Sequence, residues 1–235
     1  MEAIPKRARG EVAWQWSRTA DTQRALLDAA RAIFVEQGFT EASIAQIVER
    51  AGSSVGSLYH HFGGKSELFI ALWQEHQIAQ QRAANEAVAR AKAVGVTDPA
   101  ELFEAGTRAV LDGCWVRRDL VALFFAGDGP PGFEVMRRQR TSDWIGQNDM
   151  LLGLSDSTFD ELYVRVLTSM IGECSRFVML AKSRRQANQI IEASIGYVRR
   201  LTADGPWAPS REPVKTSAVE NVVTASARRR TRAAG

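Results

Sequence analysis

Apolar residues recur three and four positions apart along nearly all of this 235-residue chain, a spacing that admits α-helices and little else. Ala25, Leu26, Ala29, Ala30, Ile33 and Phe34 form one such stripe. No strand-type alternation interrupts the pattern. The spacing predicts an all-α protein of about nine helices, at 20–37, 43–51, 54–60, 66–93, 99–117, 119–126, 133–149, 158–182 and 185–202. Asp21 or Thr22 can cap the first helix and Gly38 can end it. Asp98-Pro99 opens the fifth, since proline suits a first turn. The run 127-GDGPPG-132 reads as a turn. There are no internal repeats.

Charge narrows the functional classes. Residues 1–203 carry 24 basic and 24 acidic residues, while 204–235 carry six basic and three acidic, so the net charge of +3 lies in the tail. The basic pI therefore does not argue that the folded part binds nucleic acid; local pattern has to carry that. The N-terminus holds Lys6, Arg7 and Arg9 with no apolar run behind them, unlike a secretory signal. No stretch reaches the ~18 apolar residues of a membrane span. The expectation is a soluble cytoplasmic protein with no membrane partner. Cys114 and Cys174 lack a CxxC spacing and read as free thiols, not metal ligands. No nucleophile-elbow sequence is present, so no enzyme, cofactor or metal is expected.

The stretch 51-AGSSVGSLYHHFGGKSEL-68 is loop-like in composition yet lies between helical segments. Two short helices joined by a turn at Gly52 make a helix-turn-helix pattern. A helix that enters the major groove must bring its N-terminus and backbone close to phosphates and base edges. Small residues permit that approach, and hydroxyls and amides can bond phosphate oxygens. The expected DNA contacts are Ser43, Ser53, Ser54, Val55, Gly56, Ser57, Tyr59, His60, His61 and Lys65, with Lys65 placed to meet a phosphate. Leu58 should tie the second helix to Ile33 and Phe34. Adjacent His60 and His61 point about 100° apart on a helix and have no ligand at i+4, so a metal site there is not expected.

Gly38-Phe39, Ser43-Ile44, Ile47, Ala51-Gly52, Gly56 to Phe62 and Lys65-Ser66-Glu67-Leu68 resemble the DNA-binding domain of TetR/AcrR-type transcriptional regulators. The resemblance covers about residues 20–80. The chain departs from the family pattern at Ala42 (usually threonine), Val48 (usually smaller) and Ser53 (usually valine). The resemblance implies an N-terminal three-helix domain joined by a long helix to a C-terminal helical domain that binds ligand and dimerises. The boundaries are a flexible basic arm at 1–19, the DNA-binding domain at 20–80 with its motif at about 43–62, the helical ligand-binding and dimerisation domain at 81–203, and a disordered basic tail at 204–235.

A small-molecule site is implied in the second half, where large side chains and a few polar groups share helices. Candidate lining residues are Phe103, Arg108, Trp115, Phe125, Met136, Trp144, Met170, Glu173 and Phe177. The last two helices carry more apolar surface than one face needs. Phe159, Tyr163, Val166, Met170, Ile190, Ile191, Ser194, Ile195 and Val198 are the expected dimer interface, building a four-helix bundle from two chains. A two-fold dimer would present two recognition helices to an inverted-repeat operator. The resulting expectation is a homodimeric repressor released from DNA by a small molecule of unknown identity. A ligand-independent activator or architectural DNA binder is the first rival. An all-α ligand-binding protein or enzyme with an incidental helix-turn-helix is the second.

Overall fold

The computed structural model describes the backbone of residues 6–152 and 158–203. These residues form nine helices and no strand: α1 Lys6–Glu41, α2 Ile44–Arg50, α3 Val55–Phe62, α4 Lys65–Ala93, α5 Pro99–Val116, α6 Arg118–Phe125, α7 Phe133–Leu152, α8 Thr158–Leu180 and α9 Arg184–Ala203. The tail expected to be disordered, 204–235, lies outside the described residues.

The largest departure is at the front. Residues 6–19, expected as a flexible arm, are helical and continuous with the predicted first helix. Between Lys6 and Thr19 only Gly10 strongly disfavours helix, and extending an existing helix needs no new nucleation. Asp21 and Thr22 therefore lie inside α1 and do not cap it. The helical path of α1 breaks at Gly38, whose φ of 82° and ψ of 173° belong to a region essentially restricted to glycine.

The next helices end where their chemistry says. Ser43 and Gln46 form a capping box at α2: the Gln46 amide donates to Ser43 Oγ and the Ser43 amide to Gln46 Oε1. Gly52, at φ 58°, turns the chain out of α2, and the Ser53 amide donates back to the Val48 carbonyl at 2.9 Å. Ser54 caps α3 and left-handed Gly63 closes it. Asp98 caps α5, with Pro99 in its first turn.

Leu26, Phe34, Ile47, Leu58 and Phe69 are fully buried and bring α1 to α4 around one core. Phe69 is its hub, with ring centres 5.0–5.6 Å from Phe34, Phe39, Phe124 and Phe133 in edge-on arrangements. Each such pair adds about 0.5–1.5 kcal/mol beyond burial. Phe124 and Phe133 come from α6 and α7, so the front core is shared with the rear half. The boundary expected at 80/81 falls inside α4, which runs unbroken for about 44 Å.

The rear half packs α4 on α5, with α8 and α9 against α5. This packing corrects the expected dimer interface. Ile191, Ser194, Ile195 and Val198 are buried inside the chain itself, Ile190 and Met170 pack half-buried on its own cores, and the Tyr163 hydroxyl donates to the Leu201 carbonyl. The heptad-like stripe of α9 is one face, and α5 and α8 already cover it. Of the expected set only Phe159 and Val166 remain exposed, joined by Leu162, Phe177 and Leu180 on α8 and by Tyr197 and Leu201 on α9.

Candidate nucleic-acid interface and cavity

Leu58 anchors α3 in the front core, which turns Val55, Gly56, Tyr59 and His60 outward at helical spacing. Tyr59 is 53% exposed, and the His60 and His61 rings meet edge-on at 5.0 Å. Ser54 Oγ accepts from the Ser57 amide at 3.1 Å, while the amides of Val55 and Gly56, in the first turn, have no intrahelical acceptor. The face thus offers backbone donors, hydroxyls and aromatic rings. Gly56 has a helical backbone, and a methyl added there would meet nothing nearer than Ser54 Oγ at 4.0 Å. Neither strain nor internal crowding requires glycine at this position. Ser53 lies in the turn just before α3, and Ser43 has its side chain engaged in the α2 cap.

Lys65 is not a free cation. Its Nζ donates to the carbonyls of Phe39, Thr40 and Ala42 at 2.9, 3.1 and 2.8 Å, and stands 4.6 Å from the centre of the Phe39 ring. An ammonium has three protons, and three acceptors take them. The phosphate role expected for Lys65 is therefore replaced by a structural one: it gathers the carbonyls at the end of α1.

The same corner is held from the rear half. The Asp128 carboxylate, in the α6–α7 turn, accepts from the Thr40 amide at 3.1 Å and the Thr40 hydroxyl at 2.6 Å. The hydroxyl's hydrogen bond is the main reason this carboxyl is held below its ordinary pKa. A methyl on Gly38 would stand 2.5 Å from Asp128 Oδ2, so Gly38 answers to this contact as well as to its backbone angles. Arg31 on α1 makes a two-pronged pair with Asp119 on α6, at 2.8 and 2.9 Å.

Residues 19–75 hold four cations against seven carboxylates. Arg24 pairs with Glu75 and Arg50 with Glu36. Such exposed pairs are worth ~0–1 kcal/mol and are readily exchanged for another anion. Arg31 and Lys65 are held more firmly.

Behind this corner a cavity of about 910 Å³ opens between α4, α5, α6, α7 and α8. Of the predicted lining residues, Phe103, Phe125, Trp144 and Glu173 line it. The other five do not. Arg108 is paired with Glu192 on the surface, Trp115, Met136 and Met170 pack on the three cores, and Phe177 is exposed. Sequence reasoning missed the polar wall: His76, Gln77, Gln80, Gln81 and Asn85 of α4, Thr107 of α5 and Arg140 of α7. The available signal was the recurrence of His and amide side chains every turn of α4, on the inner face of a helix whose other inner positions are apolar. His76 is 6% exposed, and burial, followed by the nearby Arg117 charge, lowers its pKa to about 4. Cys114, also in the wall, accepts a hydrogen bond from Gln80 Nε2, and burial pushes its thiol pKa up.

Two short helices joined by a tight turn, the second with its outer face exposed, make a helix-turn-helix, set here before an all-helical half with a cavity. Residues 26–72 match the sequence profile of "Bacterial regulatory proteins, tetR family". The repressor AcnR of Corynebacterium efficiens is 36% identical over 58 residues, 25% of this chain and 31% of that protein. The activator FasR of Mycolicibacterium smegmatis is 45% identical over 51 residues, 22% of this chain and 23% of that protein. These matches span less than a third of each relative's length. Among solved structures, the fatty acid degradation regulator FadR from Bacillus halodurans superimposes with a TM-score of 0.61 at 15% identity, covering 81% of this chain and 97% of that one. A TetR-like regulator from Rhodococcus sp. RHA1 gives 0.55 at 24% identity, covering 77% and 92%. At these identities the likeness establishes the fold alone.

Proposed function

We propose that the protein is a homodimeric transcriptional regulator that represses by occupying an inverted-repeat operator and leaves it when a small molecule fills the cavity. The observation that carries the DNA-binding part is the outer face of α3. It presents Val55, Gly56, Tyr59 and His60 around unpaired first-turn amides, with a glycine that the fold itself does not need. Ser43, Ser53, Ser54, Ser57 and His61 flank it. The engaged cations of residues 19–75 imply that phosphate charge is met partly by Lys6, Arg7, Arg9 and Arg18, and partly by exchange of the Arg24 and Arg50 partners.

Dimerisation is supported by the apolar surface that the chain leaves uncovered on α8 and α9. Phe159, Leu162, Val166, Phe177 and Leu180 run along α8 beside Tyr197 and Leu201 of α9. Two copies packed through this surface make a four-helix bundle. Sedimentation of the protein with a duplex carrying the selected inverted repeat should find two chains per site. Leu162→Arg, on a side chain that the single chain leaves exposed, should give a folded monomer; a Leu162→Arg dimer would remove this surface from the account.

Release is read through α6 as well as α4. Val121, Phe124 and Phe125 of α6 line the cavity, while Asp119 of the same helix holds Arg31 on α1 and Asp128 just beyond it holds Thr40. A ligand that displaces α6 therefore moves the DNA-binding bundle. The required differential affinity is typically ~1–3 kcal/mol. The relatives' names include both a repressor and an activator. Deleting the gene decides the sign: transcription from the bound promoter rises for a repressor and falls for an activator.

A further inference from the structure

We propose that the cavity selects an elongated amphipathic organic anion, its acidic head on Arg140 and its apolar body along the aromatic wall. The proposal rests on the ligand-responsive reading above and names the chemistry of the ligand.

Shape comes first. The wall takes a residue from every turn of α4 between Trp73 and Lys92, about 28 Å of helix at ~1.5 Å per residue. A site drawn out along one helix suits a long, narrow body. Phe103, Val110, Phe124 and Trp144 make much of the opposing surface apolar, and burial of a hydrocarbon chain against it is favourable.

Charge then chooses the head group. The described lining residues include three cations, Lys92, Arg137 and Arg140, and one carboxylate, Glu173. Glu173 is exposed and already faces Arg176 at 3.4 Å, and Arg137 is paired with Glu134 at 2.7 Å. Arg140 differs. Its side chain is only 23% exposed, and the one carboxylate within 4 Å among the described residues is Asp143, at 3.9 Å. It donates to Gln81 Oε1 at a long 3.5 Å, and its Nε is buried without an acceptor among the described residues. A mostly buried guanidinium with an open Nε is unfavourable until an anion completes it, and the planar fork matches a carboxylate in two-pronged geometry. The 5.8 Å approach to the Trp144 ring positions the guanidinium without neutralising it. A second buried atom in the wall, His76 Nδ1, also lacks a partner among the described residues, so the site has a further polar subsite near the front core. A neutral ligand would leave Arg140 uncompensated, and a cation would be repelled.

The test is titration calorimetry of the full chain with three ligands that share one tail: decanoate, decanol and decylammonium, each below its micellar concentration. Decanoate should bind at least tenfold tighter than the other two. Arg140→Gln should weaken decanoate at least tenfold and leave decanol unchanged. Equal affinities, a preference for decylammonium, no binding of decanoate, or an Arg140→Gln variant that keeps full decanoate affinity would each overturn the assignment. If Arg140→Gln does not fold, the head-group series on the unaltered protein still decides. Operator binding is measured separately: a protein that prefers decanoate but never binds DNA selectively leaves this site standing and removes the regulatory reading. One that is released from DNA only by cationic or neutral compounds does the reverse.

Discussion

Gly56 separates what the fold requires from what a partner requires. Exposed glycine inside a helix is less stable than alanine by roughly 0.5–1 kcal/mol, and no described residue crowds a methyl at this position. Gly56→Ala is therefore expected to leave thermal stability unchanged or raise it slightly, yet to weaken operator binding at least tenfold by holding α3 off the duplex. A variant that binds DNA normally would assign the glycine no role in close approach. Lys65 tests the opposite case. Removing a cation that serves three carbonyls should destabilise the protein by about 2 kcal/mol in a denaturant titration, with the salt slope of DNA binding unchanged. A phosphate-contacting lysine would instead reduce that slope by about one and barely affect stability. No residue-type pattern could have assigned this role, because the partners are main-chain carbonyls, which leave no trace in a sequence.

At the scale of helices the sequence was informative wherever side chains cap or glycines turn. The limits of α2, α3 and α5 follow from Ser43 with Gln46, Gly52, Ser54, Gly63 and Asp98-Pro99. Periodicity could not say which apolar face a helix keeps within its own chain. It gave the α9 stripe of Ile191, Ile195 and Val198 to a partner, whereas α5 and α8 absorb it. The sequence offered one connection between the two halves, the long helix that is α4. The structure adds α6, one end of which grips α1 while its other positions line the cavity. Asp128→Ala and Asp119→Ala should each keep ligand affinity and DNA affinity measurable but reduce the factor by which ligand weakens operator binding several-fold. Unchanged coupling in both variants would leave α4 as the connection that carries the signal.

Across the whole molecule the cavity, the front core and the α1–α6 bridge meet at His76, which lies 5.6 Å from the Phe124 ring and within the fields of Arg117, Asp119 and Arg31. Its folded pKa of about 4 is below the ordinary 6.5, so the native state favours the neutral ring. The associated stability is fully present above about pH 6.5 and is lost as pH falls toward 4, up to about 3 kcal/mol. His76→Gln should flatten the stability profile in that window; a profile as steep as the unaltered protein's would assign the acid sensitivity elsewhere. The central claim, that the outer face of α3 reads DNA, is tested most directly by fluorescence anisotropy of the full chain on a duplex obtained by binding-site selection and on a scrambled duplex of the same composition. The account predicts at least a hundredfold preference for the selected duplex, abolished by Tyr59→Ala in a protein that unfolds at the same temperature. Equal affinity for the two duplexes, or a preference that survives Tyr59→Ala undiminished, would contradict it.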